Sequence, residues 1–150
     1  MDLKGSYTFQ APRQKVFTAL LDPAMLRASI PGCEDIWYPD PGIARMKVRL
    51  ASPIALPGLK GPYDVAVVIQ ECHEPDLLVV QAGRSGRVGG SVQTTTRITL
   101  SDAPAGSLLI YDAHADLTGP IAFVDNPIFH EIIKHSLATF LKNLDAAIAA

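Results

Sequence analysis

Three acidic and basic residues have the types and spacing that acid–base or metal chemistry uses. Asp112, His114 and Asp116 alternate along one predicted strand, so their side chains share a face and could form such a cluster. The same alternation places apolar residues on the opposite face, which is typical of a strand with one solvated surface. A solvated surface is therefore the favoured interpretation, and an acid–base or metal cluster is the alternative.

A second candidate is the pair His130 and His135, which resembles a zinc-protease motif. That motif needs two histidines four residues apart on one helical face. A separation of five residues turns the second side chain by about 140° around the helix, so the two rings point to different sides. The sequence predicts no metal site here, and nothing in it indicates a cofactor.

Two other segments combine charge with a regular pattern. Gly83–Gly90 is rich in glycine and arginine, but it lacks the Lys-Ser/Thr end of a phosphate-binding loop and does not open a helix. A hairpin turn is the favoured interpretation. Arg45, Lys47 and Arg49 form a basic stripe, which predicts a solvated face or, as the alternative, a docking patch for an acidic partner or a membrane surface. Since no catalytic constellation emerges, a non-enzyme is expected.

Length and composition bound the remaining possibilities. The chain has 150 residues, a formal charge of −2 and 48% apolar residues, which predicts one domain over residues 1–150 and argues against nucleic-acid binding. No apolar run approaches the roughly 18 residues of a membrane span. The first ten residues lack a signal-peptide stretch, so a cytoplasmic protein is expected. Cys33 and Cys72 lack the spacing of a zinc site and are expected to be reduced.

Hydrophobic periodicity predicts the elements that position these residues. A half-buried strand, Asp2–Gln10, precedes two short helices, the second capped by Asp22. About six strands follow, and a final helix begins at Asn126-Pro127 and runs for more than 20 residues, about 30 Å. Consecutive strands with short turns imply antiparallel pairing. The predicted fold is α+β, a curved antiparallel sheet of about six to seven strands wrapped around one long C-terminal helix.

The last two predicted strands, Val88–Leu100 and Leu108–Leu117, constrain each other's register. Pairing residues whose numbers sum to 207 puts Ile98 opposite Leu109 and keeps each face uniform. A one-residue slip would mix the two faces, so the pattern argues against it.

The inward faces of the sheet and the final helix are apolar with a few hydroxyl groups. Because a curved sheet cannot close flat on a helix, a cavity between them is expected, and its composition is typical of a small-molecule pocket. The alternative is a filled core whose hydroxyl groups bond to the backbone. The candidate cavity residues are Phe17, Met46, Val48, Tyr63, Val65, Val67, Thr94, Thr96, Tyr111, Phe129, Ile133, Leu137 and Phe140.

Several motifs resemble a known superfamily. Gly5–Pro23 is similar to the start of the SRPBCC (START-like, helix-grip) superfamily. Within it, Leu26 followed by Ile30–Glu34 (Ile-Pro-Gly-Cys-Glu) resembles the CoxG family, which is named for the G subunit of carbon monoxide dehydrogenase. The resemblance extends over nearly the whole chain. Further matching segments are Ser52–Gly61, Gly86–Ser91 and Leu109–Asp112 before Gly119.

This resemblance implies a helix-grip fold with a deep hydrophobic cavity that holds a lipid or quinone-like molecule. It also implies a non-catalytic accessory role beside a molybdenum hydroxylase of the carbon monoxide dehydrogenase type. Many members continue into a membrane-seeking tail, whereas this sequence ends at Ala150, so contact with the inner face of the membrane is expected to be peripheral at most. The alternatives are a polyketide cyclase or aromatase-like enzyme and a protein-interaction module with a filled core.

Overall fold

The structure of the protein is a computed structural model that describes residues 1–49, 63–84 and 90–150, apart from the side chains of residues 84, 123 and 124. Strands and helices follow one another in the order that the periodicity predicts, with an additional 3₁₀-helix before the last α-helix. The elements are β1 (Asp2–Phe9), α1 (Arg13–Leu20), α2 (Pro23–Ser29), β2 (Cys33–Asp40), β3 (Ile43–Val48), β4 (Tyr63–His73), β5 (Leu77–Arg84), β6 (Ser91–Ala103), β7 (Gly106–Thr118), the 3₁₀-helix (Gly119–Val124) and α3 (Pro127–Ala149).

The seven strands form one antiparallel sheet in the order β1-β7-β6-β5-β4-β3-β2. The strands alternate mainly apolar residues on the concave face with mainly polar residues on the convex face, as a sheet covered on one side requires, and Val68 and Ile110 are apolar exceptions on the convex face. The α+β architecture with six to seven strands, two short helices after β1 and a long C-terminal helix is confirmed.

Two helices begin at the predicted caps. The Asp22 carboxylate accepts a hydrogen bond from the Ala24 amide at 2.9 Å. The Asn126 side chain accepts from the amides of Ile128 and Phe129 at 3.0 and 3.2 Å. These bonds satisfy donors that a helix N-terminus leaves free, so both α2 and α3 start where the sequence indicates.

The predicted register of β6 and β7 is wrong by two residues. Paired residue numbers sum to 209, so Ile98 lies opposite Tyr111. The strands run on to Ala103 and Gly106, and only two residues join them, a shorter connection than the predicted turn. Because side chains alternate with a period of two, the shift preserves which face each residue occupies.

The main hydrophobic core lies where α1 and the C-terminal half of α3 meet the sheet. Leu141 and Leu144 are the buried residues of α3. The backbone of α3 approaches β1, α1 and α2 closely, and its dominant packing is at this end. The buried members of this main core are Phe9, Val16, Phe17, Ala19, Leu20, Leu78, Leu100, Leu109, Leu141 and Leu144.

Polar contacts attach the same half of α3. The Tyr7 hydroxyl donates to Asp145 Oδ2 at 3.0 Å, and the Gln10 amide donates to Asp145 Oδ1 at 3.3 Å. Asn143 Nδ2 donates to the Ser29 carbonyl at 3.1 Å, which ties α3 to the end of α2. Burial and the nearby Asp145 carboxylate raise the pKa of Tyr7, so this phenol stays a donor near neutral pH.

Replacing Asp145 with Ala should therefore destabilise the protein. The Tyr7 hydroxyl and the Gln10 amide would lose their acceptor, a loss of about 1–3 kcal/mol in the free energy of unfolding. Urea unfolding should show a lower midpoint with an unchanged slope. Glu131→Ala, an exposed position on the same helix, is the matched control, and an equal effect of both changes would contradict the assignment.

Candidate ligand-binding site

The polar cluster on β7 lies outside the sheet's concave face. Asp112, His114 and Asp116 are exposed on the convex face, which confirms the solvated-surface interpretation. His114 Nδ1 lies 2.7 Å from Asp2 Oδ1, and its Nε2 lies 3.0 Å from Asp116 Oδ1. A ring that meets a carboxylate at both nitrogens is suited to donating from both, which is the protonated form.

These contacts shift two pKa values in opposite directions. Hydrogen bonds to Asp2 and then Asp116 raise the pKa of His114 above its usual 6.5. The bond to His114 lowers the pKa of Asp2 below its usual 3.8. The His114 contribution to stability is present below its ordinary pKa and is lost as the pH rises through the raised value, whereas the Asp2 contribution is lost as the pH falls through the lowered value. The contact between β1 and β7 at this point is strongest between those two pKa values.

An NMR titration should find the His114 pKa above 6.5, and Asp116→Asn should move it down because one charged acceptor is lost. Asp112→Asn is the control, since this carboxylate shares the strand face but lies near Lys4, with the Asp112 Oδ2 to Lys4 Nζ distance at 3.7 Å. A His114 pKa that Asp116→Asn leaves unchanged would show that the bond does not exist in solution.

The two helical histidines have different surroundings. His130 Nε2 lies 2.7 Å from Asp125 Oδ1, in the segment before α3, and His135 is exposed. Within residues 1–49, 63–84 and 90–150 there is no group of three or more His, Cys, Asp or Glu side chains that could hold a metal ion. Cys33 and Cys72 are both free thiols.

Two residues of the basic stripe, Lys47 and Arg49, lie beside acidic neighbours. Lys47 lies between Asp35 of β2 and Asp64 of β4 in the register of the sheet. Arg49 Nε lies 2.7 Å from Glu34 Oε1. The convex surface here carries mixed charge, which weakens the case for docking an acidic partner. Residues 85–89 of the predicted hairpin and the Ser52–Gly61 loop lie outside the described residues.

The concave face holds a second, smaller cluster far from the main core. Tyr63 and Ile121 are its buried members. Val92, Leu117 and Phe129 pack against them, so this cluster lies beneath the start of α3. The helix thus covers the sheet between a large core at one end and a small cluster at the other.

Between the two clusters lies a surface that is apolar but only half-buried. Met46, Val48, Val65 and Val67 belong to it on the sheet, and Ile133 and Leu137 belong to it on α3, at helical spacing from the buried Leu141 and Leu144. None of these six described side chains packs against the buried residues of either cluster. We call this surface the concave groove.

Hydroxyl groups are the polar features of the concave groove and its margins. Thr94 Oγ1 donates to the Ala82 carbonyl at 3.2 Å, as the filled-core alternative would require. The ring of Tyr111 lies over Gly5, where a Cβ would collide with the Tyr111 hydroxyl, and burial raises the pKa of that phenol. Among the described residues, none bonds to the half-buried hydroxyl of Thr96.

A cavity of about 60 Å³ continues the groove beneath α1 and α2. Its surface is almost wholly apolar, because aliphatic side chains make up most of its lining. The Tyr38 hydroxyl, which belongs to the lining, donates to the Leu21 carbonyl at 2.9 Å. Met46 and Val67 belong to both the groove and the cavity wall. The lining residues are Leu20, Leu21, Leu26, Ile36, Tyr38, Ala44, Met46, Val67, Ile69, Leu78 and Val80.

The predicted cavity residues therefore occupy several environments. Phe17 is buried in the main core, and Tyr111 and Phe140 pack against that core. Tyr63 and Phe129 belong to the small cluster. The remaining predicted residues are Met46, Val48, Val65, Val67, Thr94, Thr96, Ile133 and Leu137, all half-buried along the concave face or on α3.

The part of the cavity formed by α2 and β2 is absent from the predicted set. Leu26 and Ile36 line it, together with Ala44 on β3. Ile36 and Tyr38 are two residues apart, and this spacing is a usable signal that both face the same side of a strand. The sequence pattern predicts only a short strand here, Asp35–Tyr38, whereas β2 spans Cys33–Asp40. The β2 residues that line the cavity, Ile36 and Tyr38, lie within both the predicted and the observed strand.

Comparison with solved structures identifies the class of the fold. A conserved protein from Geobacillus kaustophilus is 20% identical, with a TM-score of 0.87 and coverage of 99% of this chain and 95% of that one. A protein from Chromobacterium violaceum is 17% identical, with a TM-score of 0.76 and coverage of 99% and 97%. Ara h 8.0201 is 14% identical, with a TM-score of 0.71 and coverage of 99% and 97%. These similarities place the chain among helix-grip proteins.

The particular family follows from the sequence. The family model for CoxG, the G subunit of carbon monoxide dehydrogenase, matches residues 5–149, and the chain belongs to that family. This confirms the resemblance carried by Ile30–Glu34 and its flanking motifs. The comparison with curated proteins gave no match. Among the described helices, none is long and apolar enough to cross a membrane.

Proposed function

We propose that this protein is a non-catalytic accessory protein that binds a hydrophobic small molecule, a lipid or a quinone-like compound, in the concave groove. The observation that carries the proposal is the apolar surface that includes Val48, Val65 and Leu137, which the fold leaves half-buried between two packed clusters. Apolar surface of this kind gains free energy when a ligand removes it from water, at about 25 cal/mol per Å².

The size of the site bears on what can bind. Pockets for drug-sized ligands have volumes of roughly 300–1,000 Å³. The cavity beneath α1 and α2, at about 60 Å³, holds only part of such a molecule. The proposed ligand therefore extends from this cavity along the open groove towards Phe129 at the start of α3.

The distribution of charge favours binding over catalysis. General acid–base chemistry needs a titratable group beside the reacting atoms. Of the described side chains, those on the concave groove are aliphatic or carry hydroxyl groups, and His114 and Asp112 lie on the convex face. This distribution argues against a cyclase-like enzyme. The accessory role beside a molybdenum hydroxylase of the carbon monoxide dehydrogenase type rests on membership of the family.

Filling the groove should weaken ligand binding. In Val65→Phe the added ring would occupy space on the concave face, and we expect the affinity for decylubiquinone or oleate to fall at least tenfold, or about 1.4 kcal/mol. Val68→Phe is the matched control, because Val68 lies on the same strand, faces the convex side and is 40% exposed. Isothermal titration calorimetry would measure both affinities.

The wild-type protein, purified under native conditions and analysed by native mass spectrometry, should carry or take up such a molecule. A wild-type protein that binds neither compound would overturn the proposed function and favour the interaction module with a filled core. Equal loss of affinity in Val65→Phe and Val68→Phe would show that binding does not depend on the groove.

The accessory role makes a separate prediction. The immobilised protein should retain a purified molybdenum-containing carbon monoxide dehydrogenase, and Val65→Phe should retain it equally, since the groove faces inward. Immobilised serum albumin controls for nonspecific retention. Failure to retain the enzyme, with ligand binding intact, would remove the partner from the proposal and leave the binding function standing.

A further inference from the structure

The cavity beneath α1 and α2 favours a hydrocarbon group over water. An ordered water needs two to four polar partners, and an apolar wall does not supply them. The Tyr38 hydroxyl is satisfied by the Leu21 carbonyl, so the cavity wall offers a water almost nothing. The group that gains most from entering this space is a saturated or branched hydrocarbon chain.

Among the described hydroxyl groups of the concave face, that of Thr96 lies beside this cavity. Thr96 on β6 pairs directly with Val80 on β5, and Val80 lines the cavity. Side chains of directly paired residues on one face lie about 4.5–5.5 Å apart at their Cβ atoms. On its other side Thr96 pairs with Ala113, a small residue that leaves room above the strand. The Thr96 hydroxyl has no partner among the described residues, whereas that of Thr94 is occupied.

From this arrangement we infer that the ligand is a single-headed amphiphile, with an aliphatic end in the cavity beneath α2 and an oxygen-bearing head at Thr96. The inference rests on the proposed function and adds the orientation and chemical class of the ligand. The apolar walls from Leu26, Ile36 and Ala44 bind a longer hydrocarbon chain more tightly than a shorter one, but they do not distinguish between chains of different structure. Thr96 supplies one directional contact, which selects a hydroxyl or carbonyl group at the other end.

Chain length gives a quantitative test. The primary alkanols from 1-butanol to 1-decanol carry one oxygen and differ only in their methylene count. Each buried methylene should tighten binding about fourfold until the cavity is filled, after which the affinity should level off. In Ala44→Leu the affinity should level off at a shorter chain, because the larger side chain fills part of the cavity.

Ala66→Leu is the matched control for this variant. Ala66 lies on β4 next to the cavity strands but alternates to the convex face, so the wild-type dependence on chain length should persist. Leu26→Phe fills the cavity from the opposite wall. It is the variant to use if urea unfolding shows that Ala44→Leu is unstable.

The head-group contact is tested with Thr96→Val, which removes the hydroxyl and keeps the shape. The affinity for 1-octanol should fall about three- to tenfold, which corresponds to one net hydrogen bond, while the affinity for n-butylbenzene should stay within about twofold. Thr94→Val is the control, since its hydroxyl already bonds to Ala82, and it should leave both affinities unchanged.

The outcomes separate this inference from the proposed function. If decylubiquinone and oleate bind but alkanol affinity does not depend on chain length or on Ala44→Leu, the orientation is wrong and the binding function stands. If Thr96→Val weakens alkanol and butylbenzene binding equally, the head-group assignment is wrong. If no hydrophobic probe binds the wild-type protein, the proposed function itself fails.

Discussion

The uneven attachment of α3, extensive along its C-terminal half and slight at its start, is the constraint on which the rest of the structure depends. Leu141 and Leu144 are buried there, and Asp145 accepts hydrogen bonds from Tyr7 and Gln10, at the end of β1. A helix of 23 residues is about 35 Å long, so a large core at one end and a small cluster at the other leave the residues between them without close packing. The curvature of the sheet carries its middle strands away from the helix, and the apolar face between them remains half-buried.

This constraint divides the molecule into a part that supplies stability and a part whose apolar surface stays in contact with water. The main core joins β1, α1 and the end of α3, and burial of its aromatic and aliphatic side chains drives folding. The cluster around Tyr63 and Ile121 holds the start of α3 with far fewer buried residues. A ligand in the groove between them would bury surface that the protein alone leaves in contact with water.

The polar chemistry of the chain is placed on the other side of the sheet. His114 and its two carboxylates, and the mixed charges around Lys47, occupy the convex face, where water screens them. The described groove carries hydroxyl groups, which can orient a neutral ligand without the desolvation cost of a buried charge. The fold is shared with proteins under 25% identical, so the function has to be argued from these particular side chains.

Much of this architecture is predictable from the sequence by itself. Strand alternation determined which residues face inward, and Asp22 and Asn126 determined where α2 and α3 begin, because these signals are local. The register of β6 and β7 lies two residues away from its predicted position, since the inward pattern repeats every two residues and only the length of the turn distinguishes the two pairings.

Whether the inward face is filled or open was decided by the tertiary structure. It depends on how far α3 stands from the sheet, a distance set by packing at Leu144 and by the curvature of strands remote in sequence. The cavity beneath α2 likewise brings Leu26 to Leu78 and Val80, residues that are far apart in the chain. Local periodicity indicates the face on which a side chain lies, whereas the space next to that side chain is determined by the packing of elements that are distant in sequence.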